Sequence, residues 1–591
     1  MKAGANWIVL GLLLLALVAA SFAVDRGRWP GLVGDEATYL LQAESLAFDA
    51  DLLYERGDYD RFVAHWQRKP EGLILQSRGG GGEGAERGLT FGKPVFYSLY
   101  LAPFLRFAPV RGAAVANALL LALTALLAAR TLSRRVGAAA PLVVAALVFA
   151  SVTFAHVFWA HQDLFLMCLT GLAFSLAYGG KQHRVELTEI FEDARTVSPL
   201  RYAGRWAVVG ALLAVVVVSR PFYAPLLLPA ALAVPINYRR RGLTALAAGA
   251  ALLLLLTVGL NLSVRGTWSS YGGERQGFYS YTGFPEVDLP DGAFEERVRR
   301  QGGASWLRAQ TFDVGFGPRQ SAWNALYFFA GRHVGVLIYF LPFVLGLAAF
   351  RPGEGRGALL LAVALSSAAF LYLKPVNFYG GGDALANRYF LPLYPALWFV
   401  AARARPAAWA LGAALAAAPF LLPLWADPWG FPRTSAGGYR HVSPVAQRWL
   451  PYETTQSHLK PSGAEDIYLN GLWLKSLSPR IKPVAGGKAL RHSGGGSAQL
   501  LIGSSRPIEG LELEFRPPAP TRLDGIGGAT LGETVLRGGG GTMMRLRLAK
   551  PRARHRMWWT EEDVYLYALD LRLPADDPAV RGGATFELRP R

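Results

Sequence analysis

The stretch from Trp7 to Val24 reads WIVLGLLLLALVAASFAV, and Gly34-Asp35-Glu36-Ala37-Thr38-Tyr39 follows it after a short polar connection. The first run has no ionisable side chain. About twenty apolar residues in a helix cross the ~30 Å hydrocarbon layer while satisfying their own backbone groups. Lys2, the apolar run and Ser21-Phe22-Ala23 also fit a cleavable signal peptide, but the many further spans favour an uncut anchor. In either case the chain after Val24 is expected on the outer side of the membrane.

Working outward, 52% hydrophobic residues and a mean hydropathy of +0.24 come with further long apolar runs. They are Gly112 to Ala129, Pro141 to Ala160, Leu164 to Tyr178, Trp206 to Ser219, Pro221 to Ile236, Leu243 to Leu262, Val334 to Phe350, Ala358 to Leu373, Tyr389 to Ala402 and Ala407 to Trp425. About eleven transmembrane helices are expected, forming an all-α polytopic membrane domain over residues 1–430. With the N-terminus cytoplasmic, every internal connection carries Arg or Lys, including Arg134-Arg135, Arg239-Arg240-Arg241 and Arg403/Arg405. The net charge of +19 therefore reads first as topology, with no nucleic-acid partner implied. Pro94 to Phe107, with Pro103 and Arg106, is short and reads as an interfacial or re-entrant element of the outer loop 25–111. A second long outer loop is expected at 263–333.

From about Tyr439 the pattern changes to alternating runs separated by Gly and Pro, such as Leu511 to Phe515 and Val564 to Leu573. Residues 439–591 are expected to form a β-sandwich of jelly-roll type outside the membrane. The chain has one cysteine, Cys168, so such a domain must hold by packing without an internal disulfide. Gly79 to Gly82 and Gly538 to Gly541 read as loop tips, because nothing after them makes a phosphate cradle.

The chemistry-bearing residues fall at helix boundaries. Asp35 and Glu36 follow the first span and are candidates for a general base, or else a cap and first-turn acid of the next helix. Lys93 lies in Thr90-Phe91-Gly92-Lys93-Pro94, and is a phosphate-binding candidate or a snorkelling lysine. His156, Trp159, His161, Gln162 and Asp163 precede the span at Leu164, with Asp163 a site residue or its N-cap. His156 and His161 lie five apart, off one helical face, and no metal is predicted. Further outer boundaries hold Arg220, Arg332-His333, and Asn387-Arg388-Tyr389 within the string from Asn377 to Pro395. Trp268, Tyr271, Phe278, Tyr279 and Tyr281 read as a cover for lipid or acceptor, or as an interfacial belt. Trp473, Trp558, Trp559, Tyr565 and Tyr567 read as sugar-stacking groups or as sandwich core.

The acidic pair after the first helix, the Lys93-Pro94 segment, Asp163, and Asn387-Arg388-Tyr389-Phe390 with Pro392-Leu393-Tyr394-Pro395 together resemble the GT-C fold membrane glycosyltransferases. The likeness is to bacterial relatives of protein O-mannosyltransferases and lipid A aminoarabinose transferases, and covers roughly residues 5–425. Gly92 stands where aminoarabinose transferases tend to have Glu. The resemblance implies an inverting transfer from a polyprenyl-phosphate-linked sugar, with Asp35 as base and Glu36 its companion. The topology that brings these boundaries to one outer face adds Lys93 and Arg388 as donor-phosphate ligands, Arg220 and Arg332 as weaker candidates for that role, and Asp163, His161, His333, Asn387 and Tyr389 as further candidate site residues. The resemblance also implies a bacterial plasma-membrane enzyme acting on a glycan, lipid or protein acceptor. The rival readings are a transporter or flippase, whose ionisable groups would lie near mid-span, and a non-catalytic envelope assembly factor.

Overall fold

Most of the apolar runs become helices in the computed structural model. It describes residues 3–27, 32, 34–70, 72–77, 88–179, 199–268, 275–278, 318–348, 356–380, 384–400, 405–431, 442–451, 453, 467–469, 472–476, 481–483, 489–492, 496–504, 506–516, 525–527, 529–537, 541–549, 553–556, 563–573 and 584–591. The glycine tip 79–82, most of the tip 538–541, Arg403, Tyr271, Tyr279, Tyr281, Trp558 and Trp559 lie outside the described residues.

Among the described residues, five helical stretches are long and apolar enough to cross a membrane: Gly4–Phe22, Gly112–Phe149, Pro199–Ser219, Ile236–Arg265 and Pro406–Ala426. Leu12, Leu15, Leu255, Leu256, Leu411 and Leu415 are exposed on them, as side chains facing lipid would be. Gly137, at φ 63°, interrupts the second stretch after Val136.

The remaining runs counted as spans form shorter elements, for identifiable reasons. Pro221–Leu226 is a 3-10 turn carrying Pro225, followed by the helix Leu227–Leu232. The run at 334–350 divides at Phe340 into Val336–Tyr339 and Leu341–Ala348. Among the described residues, the run at 389–402, which carries Pro392 and Pro395, forms the short elements Leu391–Leu393 and Tyr394–Trp398. Tyr394, Leu397 and Trp398 are buried among other helices, so this stretch is apolar because protein surrounds it.

Val95–Phe107 is a helix of 13 residues containing Pro103, about 20 Å long at 1.5 Å per residue. It lies against Asp35–Phe48, with Ser98 Oγ donating to Tyr39 O (3.0 Å) and Gln42 Oε1 (2.9 Å). A four-stranded antiparallel sheet, in the order 53–54, 89–91, 73–77, 275–278, joins the two long loops. Thr38 Oγ1 accepts from Ile74 N (3.0 Å), tying this sheet to the helix that begins at Asp35.

The C-terminal strands form two antiparallel sheets. One runs 529–537, 541–548, 510–516, 584–590, 490–492, 481–483; the other runs 525–527, 563–573, 496–504, 472–476, 467–469, with 553–556 paired to 563–573. Alternate residues Leu500 and Ile502, Leu511 and Leu513, Leu569 and Leu571, Phe586 and Leu588 meet in one buried cluster drawn from both sheets. Tyr567 belongs to that core, its hydroxyl accepting from Ile508 N (2.9 Å). Val442 and Ala446 instead pack into the membrane-helix cluster. By packing, the segment 442–453 therefore goes with the helices, although the change of composition begins at 439.

Candidate active site

Gly34 adopts φ 68°, a conformation costly for any residue with a Cβ, and turns the chain into the helix Asp35–Phe48. Asp35 is thereby the first residue of that helix. Its carboxylate is spent on no cap: Oδ1 pairs with Lys93 Nζ, while Oδ2 lies 2.8 Å from His161 Nε2 and 3.4 Å from Arg388 Nη1. Burial opposes its charge, but Lys93, His161 and Arg388 outweigh burial and hold the carboxyl well below the usual carboxylate range. Its side chain keeps 22% exposure, whereas Asp163 keeps none.

Glu36 points elsewhere. It is buried and accepts from Ala160 N (3.2 Å), and burial pushes its carboxyl up to about 8. Two adjacent carboxylates thus have opposite environments, one ionised and partly open, the other neutral at pH 7 and closed.

Lys93 follows the strand 89–91, and its carbonyl is gripped from two sides, by Arg265 Nη2 (2.7 Å) and Gln42 Nε2 (3.4 Å). Arg265 also donates to Phe91 O (2.9 Å) from the end of the helix Arg239–Arg265. His161, rather than Asp163, is the N-cap of Gln162–Tyr178, its Nδ1 accepting from Asp163 N (3.4 Å). Asp163 is free of that duty: its Oδ2 lies 2.7 Å from His161 Nδ1, which donates to it when protonated and accepts from Asp163 N when not, its Oδ1 meets Arg220, and Oδ2 lies 3.9 Å from Arg388 Nε. His161 Nε2 faces both Asp35 and a guanidinium N–H of Arg388: protonated it donates to the first, unprotonated it accepts from the second.

Arg388 Nε donates to Gly380 O, where φ of +100° lets the backbone pass close to Arg388. Asn387 sets the loop, donating to Phe378 O (2.6 Å) and accepting from Tyr389 N (3.0 Å). The Tyr389 ring lies 4.0 Å from the Arg220 guanidinium and 5.2 Å from that of Arg388, and Trp159 lies 5.4 Å from Arg388.

Asp35, Lys93, His161, Asp163, Arg220, Arg388, Asn387 and Tyr389 thus meet in one place, at the ends of their helices. Arg332 and His333 make other contacts: the Arg332 guanidinium donates to Leu450 O (3.1 Å), and His333 Nδ1 meets Glu453 Oε2 (2.5 Å). His156 stacks on Trp159 and meets Phe431 edge to face. Trp268 is exposed. Among the described residues no three His, Cys, Asp or Glu are grouped to hold a metal ion. Arg265, which holds Lys93 in place, and Glu453 were not singled out by sequence reasoning. The first ends an apolar run like any interfacial arginine, and the second is a lone acid in a polar linker.

No family model matches the sequence, and no curated protein matches it. Among solved structures the chain is similar to ArnT from Cupriavidus metallidurans bound to undecaprenyl phosphate, with TM-score 0.39 and 15% identity over 70% of this chain. The same protein in the apo state gives TM-score 0.34 at 15% identity. The chain spans 60% of the length of those structures. Likeness of this extent decides neither fold nor activity, which leaves the site geometry to carry the functional reading.

Proposed function

We propose that the chain is a membrane glycosyltransferase that moves a sugar from a polyprenyl-phosphate carrier to a hydroxyl of a lipid, glycan or protein acceptor on the extracytoplasmic face. The observation that carries this reading is the convergence of Lys93, Arg220 and Arg388 on Asp35 and Asp163. Cations held side by side at one point beside a partly exposed carboxylate suit an anionic phosphate at the membrane surface.

In this reading Asp35, the carboxylate with open surface, takes the proton of the acceptor hydroxyl. The oxygen attacks the anomeric carbon from the face opposite the phosphate, the carbon–phosphate-oxygen bond breaks, and polyprenyl phosphate leaves with its electron pair. Lys93 and Arg388 stabilise that leaving anion, with Arg220 holding Asp163 and the Tyr389 face in place. Ion pairing makes the resting Asp35 a weak base; a bound phosphate competes for Lys93 and Arg388 and so returns basicity to it. Glu36, neutral and closed, supports the Ala160–His161 backbone. The two-sheet C-terminal unit is read as a β-sandwich on the same face.

The ionisable cluster sits at helix ends, where a transport path would need such groups along the spans. Reconstitution in vesicles with polyprenyl-phosphate hexose or pentose donors and a lipid acceptor tests the reading. Acceptor-dependent release of polyprenyl phosphate, with the opposite anomer in the product, is expected. Movement of intact donor across the bilayer without cleavage would overturn it in favour of a flippase.

A further inference from the structure

Beyond the helix Pro406–Ala426 the chain packs against the membrane domain at Val442 and Ala446 and then carries a buried carboxylate. Glu453 has no exposed surface. Its Oε1 accepts from the backbone N–H of His333 (2.6 Å) and of Val334 (3.1 Å), and its Oε2 meets His333 Nδ1 (2.5 Å). Burial opposes its charge, while His333 and the two backbone donors hold it below the usual carboxylate range. Beside it Arg332 N donates to Pro451 O (2.9 Å), and the Arg332 guanidinium donates to Leu450 O. Gly331 is there because a Cβ would collide with Glu453 Oε1 and with Tyr327 O.

The far side of the same turn faces the candidate site. His333 O accepts from Ala386 N (2.6 Å), and Ala386, at φ 70°, is a non-glycine residue in the left-handed region. Such a conformation persists only where its surroundings impose it. The next residues are Asn387 and Arg388, the latter reaching Asp35. One turn, 331–334, is therefore held between Glu453 and the loop that aims Arg388.

We infer that Glu453, through His333 and the Ala386 amide, is a positioning residue for Arg388, making the segment after the last span part of the transferase rather than a tether for the C-terminal unit. The inference rests on the transferase reading for its consequence, though not for its contacts. Glu453→Ala leaves two backbone donors and an imidazole without their acceptor and loosens the Arg388 loop. Misplacement by about 1 Å costs up to roughly a hundredfold, so kcat/KM should fall about ten- to a hundredfold, chiefly in kcat.

The test is a double-mutant cycle on the full chain in vesicles, with Glu453→Ala, Arg388→Ala and the pair. A residue acting through Arg388 makes the losses non-additive: the double variant should be no slower than Arg388→Ala. Glu453→Gln, which keeps an acceptor for the two N–H groups, should recover part of the rate. Additive losses, or wild-type turnover in Glu453→Ala, would overturn the inference. Hydrogen exchange at residues 384–390 separates this from the functional reading, since protection at Ala386 should drop in Glu453→Ala whether or not sugar is transferred. Unchanged protection in a folded variant would overturn the clamp itself, and lost protection in a protein without transferase activity would leave the clamp standing while the functional reading fails.

Discussion

Asp35 and Glu36 are neighbours with opposite electrostatic fates, and their difference can be measured. Glu36 keeps its proton to about pH 8 in the folded chain but loses it near 4.5 when unfolded. Between those values the native state binds the extra proton, so stability falls as pH rises, and the loss is complete above about 8. Glu36→Gln is permanently neutral and keeps an acceptor for Ala160 N. Melting of the purified protein from pH 5 to 9 should therefore show a shallower decline for Glu36→Gln, with the variant more stable than wild type at pH 9. Parallel curves would mean that Glu36 is not held neutral. In sequence this pair was visible only as two acids after a span; which one is open depends on Ala160 and Lys93, more than fifty positions away and brought near only by folding.

At the scale of elements, the helices Pro199–Ser219 and Arg239–Arg265 touch backbone to backbone. A Cβ at Gly210 would overlap Leu246 O, and one at Gly249 would overlap Ala207 O. Without a hydrophobic driving force between helices in lipid, such close approach is what gives dispersion its strength. Gly249→Ala should cost about 1–3 kcal/mol and lower the melting temperature, because the obstructing atoms are backbone. Gly259→Ala on the same helix meets nothing within 4 Å and should be neutral or slightly stabilising. Equal melting temperatures would refute the contact. The same scale explains what hydropathy does not resolve. Residues 389–402 and 221–236 are as apolar as a span, but prolines shorten their helices and protein covers much of them. A transfer scale registers a dry environment and does not distinguish lipid from the interior of a helical bundle.

At the scale of the whole molecule, the positions of Asp35, Asp163, Arg220 and Arg388 at helix ends were readable from where apolar runs stop and polar residues begin. Their convergence required all the helices at once. The positive-inside pattern makes its own prediction: a reporter fused after Arg591 should read as external and one at Arg240 as cytoplasmic. Both on one side would refute the orientation. The two-sheet unit has a core separate from that of the helices, so residues 467–591 expressed alone should give a β-type circular dichroism spectrum and a cooperative melt.

The central claim is that Asp35 accepts the proton of the acceptor. Asn at position 35 keeps the size of the side chain and its place in the helix, but loses the charge that Lys93, His161 and Arg388 surround. Single-turnover transfer by purified Asp35→Asn, from a polyprenyl-phosphate sugar to a hydroxyl acceptor, should be slower than wild type by roughly a hundredfold or more. Donor affinity should be retained or increased, because two cations are released to the phosphate. Transfer by Asp35→Asn at the wild-type rate would contradict the account.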